Sequence, residues 1–556
     1  MPRKQKTKAP PAVSRWDSET QFVLWLATCI SVISALFYFQ RNEVLLYGDA
    51  IAHINIARRV FDSRTPGLLQ LGTVWLPLPH LLMIPFLLSD SLWRTGLGGS
   101  FPSMAGYVLA VVGMFRLVRA MFSGDAKYET AARAAAWSAA LVFAANPNLI
   151  YMQATAMGES LYLACFIWAV VFFSEAVRGD SKGLTICGLC LAAACLTRYD
   201  GWFLAVVMSG AVLLLAFFKK NAQNTAAISR AAIAKFLLIS AAAPILWLAY
   251  NGLVYRNPLE FENGPYSAKA IERRTQIAGN PGHPGSGNVF VSSSYFLKAA
   301  ELNMAHNEWL QRGWLLLTVA AVGAALALGF RLDSSPQLAA YAPLIFFLIP
   351  IAFYALSIAY GGVPIFLPPW WPFSHYNVRY GLQLLPALAA SFAVLVFLIR
   401  RDADDRKLRV AAFLAMFALL IASYASVWQT TPISLKEAQL NMRTRNILEA
   451  QVAAWLQKLP SDSTLLMYLG DHVGALQQAG VPLKRTINEG NHRVWMQPSD
   501  PDGLWERALA NPAKYADYAV AAEGDPVWQS LHERSLPEIV ELHVTGQARV
   551  VLYRLR

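Results

Sequence analysis

The chain has 556 residues, of which 56% are hydrophobic and only 15% charged, and its mean hydropathy is +0.37. That balance excludes a water-soluble enzyme, a disordered chain and a disulfide scaffold, and marks a polytopic membrane protein. A formal charge of +12 would suit a nucleic-acid binder, but the basic residues fall in short clusters between apolar runs rather than along one amphipathic face, so no nucleic-acid partner is expected.

At the amino end, Arg3, Lys4, Lys6, Lys8 and Arg15 precede an apolar run over residues 20–40 that is long enough to span and has no small-residue cleavage site. Residues 1–19 are therefore expected to be a cytoplasmic basic tail, and 20–40 an anchor. Further apolar runs lie near 101–122, 133–150, 155–177, 183–198, 201–218, 235–254, 312–330, 338–359, 380–399 and 409–428, bringing the expectation to about eleven spans. Alternating them puts Arg116, Arg119, Lys127 and Arg133, then Arg178 and Lys182, then Lys219, Lys220 and Arg230, then Arg331, and last Arg400 to Arg409 on the cytoplasmic side, as orientation by Lys/Arg bias requires. All five cysteines (Cys29, Cys165, Cys187, Cys190 and Cys195) lie in apolar runs and read as small hydrophobes.

The same alternation leaves three long stretches outside: a first outer loop over 41–100, a second over 255–311, and everything after about 429. In the first, Ala50, Ile54, Ala57 and Phe61 recur at helical spacing after Gly48 and Asp49, predicting a helix with Asp49 as its cap. The segment 74–88 carries Pro77, Pro79 and Pro85 and reads as an interfacial helix rather than a span. The second is rich in Gly and Pro over 279–288 and reads as a lid, with Tyr266, Lys269 and Arg273 as candidate sugar or phosphate contacts. Residues 20–430 then form one transmembrane catalytic domain. From 431 to 556 a helix near 435–459 and β-type runs at 464–469, 517–522, 538–544 and 548–553 predict a small extracytoplasmic α/β domain, in which Asp471, His472 and His492 read as surface residues.

Ionisable residues at membrane depth are costly, so each invites a functional reading. Asp49 begins the first outer helix. Glu159 lies in Met157-Gly-Glu-Ser at the mouth of the fourth span, and Arg198 and Asp200 in Leu196-Thr-Arg-Tyr-Asp-Gly-Trp at the turn between the fifth and sixth. His375-Tyr-Asn-Val-Arg379-Tyr380 puts an Arg at the entrance of the tenth. All converge on one leaflet boundary, which suits a substrate that is partly lipid and partly polar: Arg forks match phosphate oxygens, and an attacking hydroxyl needs a carboxylate base. Asp49 and His53, one turn apart on the first helix, are the candidate ligands for a divalent cation, Mg²⁺ or Mn²⁺.

These features, with Tyr47-Gly-Asp-Ala-Ile-Ala-His, Trp75-Leu-Pro-Leu-Pro-His, Asn257-Pro-Leu-Glu-Phe and Val378-Arg-Tyr-Gly-Leu-Gln-Leu-Leu-Pro, resemble the GT-C glycosyltransferases over residues 15–430, closest to bacterial relatives of aminoarabinose transferase and protein O-mannosyltransferase. The resemblance implies an all-α polytopic GT-C fold and an inverting transfer of a sugar from a polyprenyl-phosphate donor to a glycan, lipid or protein acceptor at the outer face of the cytoplasmic membrane. It implies Asp49 as base or acceptor-positioning acid, Glu159 as the second catalytic acid, Arg379 on the lipid phosphate, and Arg198, Tyr380 and His375 around the donor. Several motifs depart from the family pattern: Ala50, not a second acid, follows Asp49; Leu78 splits Pro77 from Pro79; Glu159 stands where Asp is usual; and Pro372, not Asp, follows Trp370-Trp371. The alternative reading is a transporter or flippase for lipid-linked saccharides, which would need ionisable groups mid-bilayer between discontinuous helices.

Overall fold

The computed structural model describes residues 16–123, 126–219, 229–275, 282–331, 342–402, 405–491 and 502–556. The basic residues from Arg3 to Arg15, Lys220, the Gly279–Pro281 part of the second loop and His492 lie outside the described residues.

A helix lies in each apolar run identified from the sequence. Among the described residues, seven helices are long and apolar enough to cross a bilayer, with shorter apolar helices at Pro77–Leu87, Lys182–Cys195 and Leu344–Tyr360. The first long helix, Ser18–Gln40, starts where Asp17 accepts a hydrogen bond from the Thr20 amide at 2.8 Å. It buries Val23, Ala27, Ser31, Ala35 and Tyr38 along one stripe and leaves Phe22, Trp25, Ile33 and Phe37 exposed. Small residues let the helix approach its neighbours, and the large apolar ones are left to lipid.

The same logic brings Leu97–Phe122 against Glu159–Val177. A Cβ at Gly106 would lie 2.6 Å from the Leu161 Cα, and one at Gly113 would lie 2.8 Å from the Ile167 side chain. These two glycines, seven residues apart on one face, permit the crossing. The run over 133–150 is broken by Asn146-Pro147: the Asn146 side chain accepts from the amides of Asn148 and Leu149 and starts a separate helix, Pro147–Gln153.

In the connection over 41–100, the expected helix is Gly48–Arg59, with Ala50, Ile54 and Ala57 fully buried. Asp49 does not cap it, contrary to the sequence expectation. The cap position is Tyr47, which makes no side-chain cap bond, and Asp49 sits in the first turn with its carboxylate turned elsewhere. Pro77–Leu87 is 11 residues long, which spans roughly half a hydrocarbon core at ~1.5 Å per residue. It buries His80 and Met83 while exposing Leu81, Leu82 and Phe86, as an interfacial helix would.

After Pro432 the chain forms the helix Ile433–Leu456 and then a five-stranded sheet: β1 (Leu465–Met467), β2 (Thr486–Ile487), β3 (Tyr518–Ala522), β4 (Glu538–Leu542) and β5 (Val550–Arg554). The order is β2-β1-β3-β5-β4. β1 runs parallel to β2 and β3, whereas β3–β5 and β5–β4 are antiparallel. The sequence reading missed β2, whose two residues are too few to show a period. It also put His472 on the surface, yet His472 is buried, in a non-helical conformation within the helix that follows β1.

The glycine-dependent crossing is open to test. Gly106→Val should cost roughly 1–3 kcal/mol through overpacking and lower the melting temperature in detergent, whereas Gly210→Val, where no atom lies within 4 Å of an added Cβ, should leave it unchanged. Equal melting of the two variants would refute the close contact.

Candidate active site

The site is built around Arg379. Asn377 adopts a left-handed conformation (φ 57°), tolerated by Asn, and its side-chain amide donates to the Pro364 carbonyl at 2.9 Å. The 3₁₀ stretch Val378–Leu384 that follows is pressed onto the helix Val289–Met304. Asn303 donates to the Val378 carbonyl at 2.8 Å, and a Cβ at Gly381 would collide with the backbone of Ala299 and Ala300. The Arg379 guanidinium is thereby fixed in the interior, 5% exposed as a residue.

Three carboxylates from three different segments meet it. Nη2 donates to Asp49 Oδ2 at 2.7 Å, Nη1 to Glu437 Oε1 at 2.7 Å, and Nε to Glu159 Oε1 at 3.2 Å. The Tyr47 and Tyr380 rings lie 4.9 and 5.1 Å from the guanidinium carbon. Three of the five guanidinium N–H groups are thus engaged, leaving one on each Nη.

Glu159 opens the helix Glu159–Val177, where a carboxylate is favoured by the helix dipole. Its Oε1 also accepts from Arg198 Nη1 at 3.2 Å, so one oxygen joins both guanidiniums. Arg198 sits in a turn too tight for a side chain at Gly201, where a Cβ would lie 2.5 Å from the Ala194 carbonyl carbon. Arg198 faces Asp200 at 3.3 Å and donates to the Tyr354 hydroxyl at 2.8 Å, and that hydroxyl donates to Asp200 at 3.2 Å. The Tyr380 ring lies 5.1 Å from each guanidinium carbon. Asp49, Glu159, Arg198, Asp200, Arg379 and Tyr380, read from separate motifs, therefore form one cluster.

Exposure separates the acids. The Asp49 side chain is 41% exposed, whereas those of Glu159 and Glu437 are each 1% exposed. Asp49 alone among the three Arg379 partners is open to an incoming hydroxyl.

Two members escaped the sequence reading. Glu437 lies on Ile433–Leu456, and besides holding Arg379 it accepts from the Val378 amide at 2.7 Å. Tyr354 was one aromatic among many in an apolar run. The other candidates lie elsewhere. Tyr266 lines a cavity together with Arg445, Tyr468 and His472, Lys269 pairs with Glu262 at 2.5 Å, and Arg273 is exposed. His375 lines a separate cavity of about 320 Å³ with Lys298, His306 and Lys436.

His53 Nδ1 is 2.8 Å from His80 Nε2, and burial holds its pKa below the usual imidazole value although Asp49 and Glu159 pull the other way. Asp49 Oδ2 is taken by Arg379 and His53 Nδ1 lies against His80, so one oxygen and one ring nitrogen of this pair are engaged, and among the described residues no three His, Cys, Asp or Glu side chains gather as metal ligands do.

No protein-family model and no curated protein matches the chain. Solved structures do. ArnT from Cupriavidus metallidurans bound to undecaprenyl phosphate matches 96% of this chain and 98% of its own at 14% identity, with a TM-score of 0.53. The apo form matches 97% and 99% at 13% identity, with a TM-score of 0.54. An oligosaccharyltransferase from Archaeoglobus fulgidus with a tethered acceptor peptide is more distant: 13% identity, 91% of this chain and 69% of that one, with a TM-score of 0.46. With the ArnT chains matched almost end to end, the protein is a multi-pass membrane protein with the GT-C glycosyltransferase fold.

Proposed function

We propose that the protein is an inverting glycosyltransferase that takes a sugar from a polyprenyl-phosphate carrier at the outer face of the cytoplasmic membrane. The observation that carries this reading is the pairing of an exposed carboxylate, Asp49, with a buried guanidinium, Arg379, whose three side-chain bonds among the described residues leave one N–H on each Nη. The undecaprenyl phosphate bound to ArnT supports a polyprenyl phosphate as the carrier.

In this mechanism an acceptor hydroxyl attacks the anomeric carbon from the side opposite the phosphate and gives its proton to Asp49. The bond from anomeric carbon to phosphate oxygen breaks, and its electron pair stays on the departing phosphate, which gains negative charge as the carbon becomes oxocarbenium-like. A guanidinium aimed at that oxygen binds the transition state more tightly than the ground state. The phosphate also competes with Asp49 for Nη2. Donor arrival therefore loosens the Asp49–Arg379 ion pair and releases the base when it is needed. Glu159 and Glu437 are positioning residues, since each is buried and holds a guanidinium.

Asp49→Asn should lower turnover by about 10²–10⁴-fold while the protein stays folded and still binds undecaprenyl phosphate. Near-wild-type turnover would remove Asp49 as the base. Arg379→Ala should depress turnover more than donor binding, by an effect of about 3–4 kcal/mol, and Arg379→Lys should rescue only in part, because a point charge cannot reproduce a planar fork that also holds three carboxylates. Turnover of a synthetic polyprenyl-phosphate sugar measures both, and full activity of the Lys variant would dismiss the fork. One donor atom each from Asp49 and His53 does not make a closed metal site, so activity should survive exhaustive chelation followed by assay without added metal. Loss restored by Mg²⁺ or Mn²⁺ would put a cation back at this pair.

A further inference from the structure

The carboxyl-terminal domain has a feature that the transfer reaction leaves unused. From β1 the chain first moves to β2 on one side and then crosses to β3 on the other, so the order β2-β1-β3 places a topological switch point between β1 and β3. In open parallel sheets the crevice beyond the carboxyl ends of the strands at such a point is where ligands bind. Here that crevice is a cavity of about 590 Å³, lined by Tyr468 and His472 after β1 and by Glu523, Gly524 and Asp525 after β3. The volume is within the range of ~300–1,000 Å³ that holds small organic ligands.

The crevice is preformed. Asp525 accepts from the Ala522 amide at 3.0 Å and the Trp528 amide at 2.6 Å, and Gly524 makes the turn at φ +91°. Its opposite wall comes from the membrane block's side of the chain: Tyr266 in the second loop and Arg445 on Ile433–Leu456. Arg445 is held by the buried Glu449 at 2.8 Å, and a Cβ at Gly48 would lie 3.5 Å from Arg445 Nη1. One guanidinium therefore lines the cavity and lies beside Gly48, the residue preceding Asp49.

The lining selects a chemistry. Glu523 and Asp525 oppose an anion, while Glu523 is shared with Arg549 at 3.8 Å and Asp525 is taken by two backbone amides, so neither is left to anchor a cation, and the guanidinium of the lining is already paired with Glu449. An apolar ligand would strip water from the carboxylates and from the Gln529 and Gln547 amides. Planar acceptors and donors beside two tyrosines suit a neutral polyhydroxyl ligand. We infer that this cavity binds the sugar end of a neutral glycan acceptor and delivers its hydroxyl to Asp49. The inference rests on the transferase reading above and names the acceptor class for it.

The test uses the full chain in nanodiscs on an array of neutral hexose and N-acetylhexosamine oligosaccharides, with phosphorylated glycans and unmodified peptides beside them. Wild type should retain a neutral saccharide. Glu523→Ala combined with Gln529→Ala, both at exposed positions, should weaken that retention at least tenfold, with undecaprenyl-phosphate binding and melting temperature unchanged. No retention of any neutral saccharide, equal retention by the double variant, or preference for phosphorylated glycans or peptides would overturn the inference. Failure of wild type to bind undecaprenyl phosphate in the same nanodiscs would instead count against the transferase reading, and the array result is read separately from it.

Discussion

Everything in this site depends on burying one guanidinium. Arg379 is taken out of water by the packing of the Val378–Leu384 stretch, and an unpaired charge there would cost several kcal/mol. The compensation comes from Asp49, Glu159 and Glu437, so the first long connection, the Glu159–Val177 helix and the helix leading to the carboxyl-terminal sheet are tied to a fourth segment through one planar group. Removing any of these acids leaves part of a buried charge unanswered. The Ile433–Leu456 helix is thus an integral wall of the site: it supplies Glu437, its Ser434 amide and hydroxyl donate to Asn148 Oδ1, and its Ser434 carbonyl accepts from the Tyr47 hydroxyl.

Much of this was legible in the sequence because membrane depth makes charge conspicuous. Glu159, Arg198 and Arg379 stood out as ionisable residues at the ends of apolar runs, and the order of their motifs was enough to suggest the GT-C fold. Glu437 was not legible for the converse reason. It lies in Ser434-Leu-Lys-Glu, a polar stretch after the last apolar run, where a carboxylate three residues after a Ser looks like a capping box; only the tertiary fold carries it to Arg379. Tyr354 was hidden by abundance, since nothing in an apolar run distinguishes the one hydroxyl that faces Arg198. Asp49 was read as a cap because Asp favours that position, but tertiary pairing with Arg379 outweighs a local preference worth ~1 kcal/mol.

The carboxyl-terminal region was recognisable as α/β from its β-type runs, but its topology was not, because β2 is two residues long and the switch point exists only through it. His472 illustrates the same limit. A histidine in a polar region reads as surface, yet the turn after β1 draws it inward beside the crevice.

In the proposed reaction two guanidiniums divide the labour between lipid and acceptor. Arg379 is desolvated and shared among acids of which only Asp49 is exposed, so any anion that takes its remaining N–H groups weakens its hold on Asp49 more readily than on the buried Glu159 and Glu437. Arg445 approaches the same short helix from the other side, next to Gly48, with the carboxyl-terminal crevice behind it. At the start of Gly48–Arg59, Arg379 pairs with Asp49 while Arg445 lies beside Gly48. In the proposed reaction an acid placed there answers the lipid phosphate through its direct contact with Arg379, and it lies one residue from the glycine beside the crevice-side guanidinium.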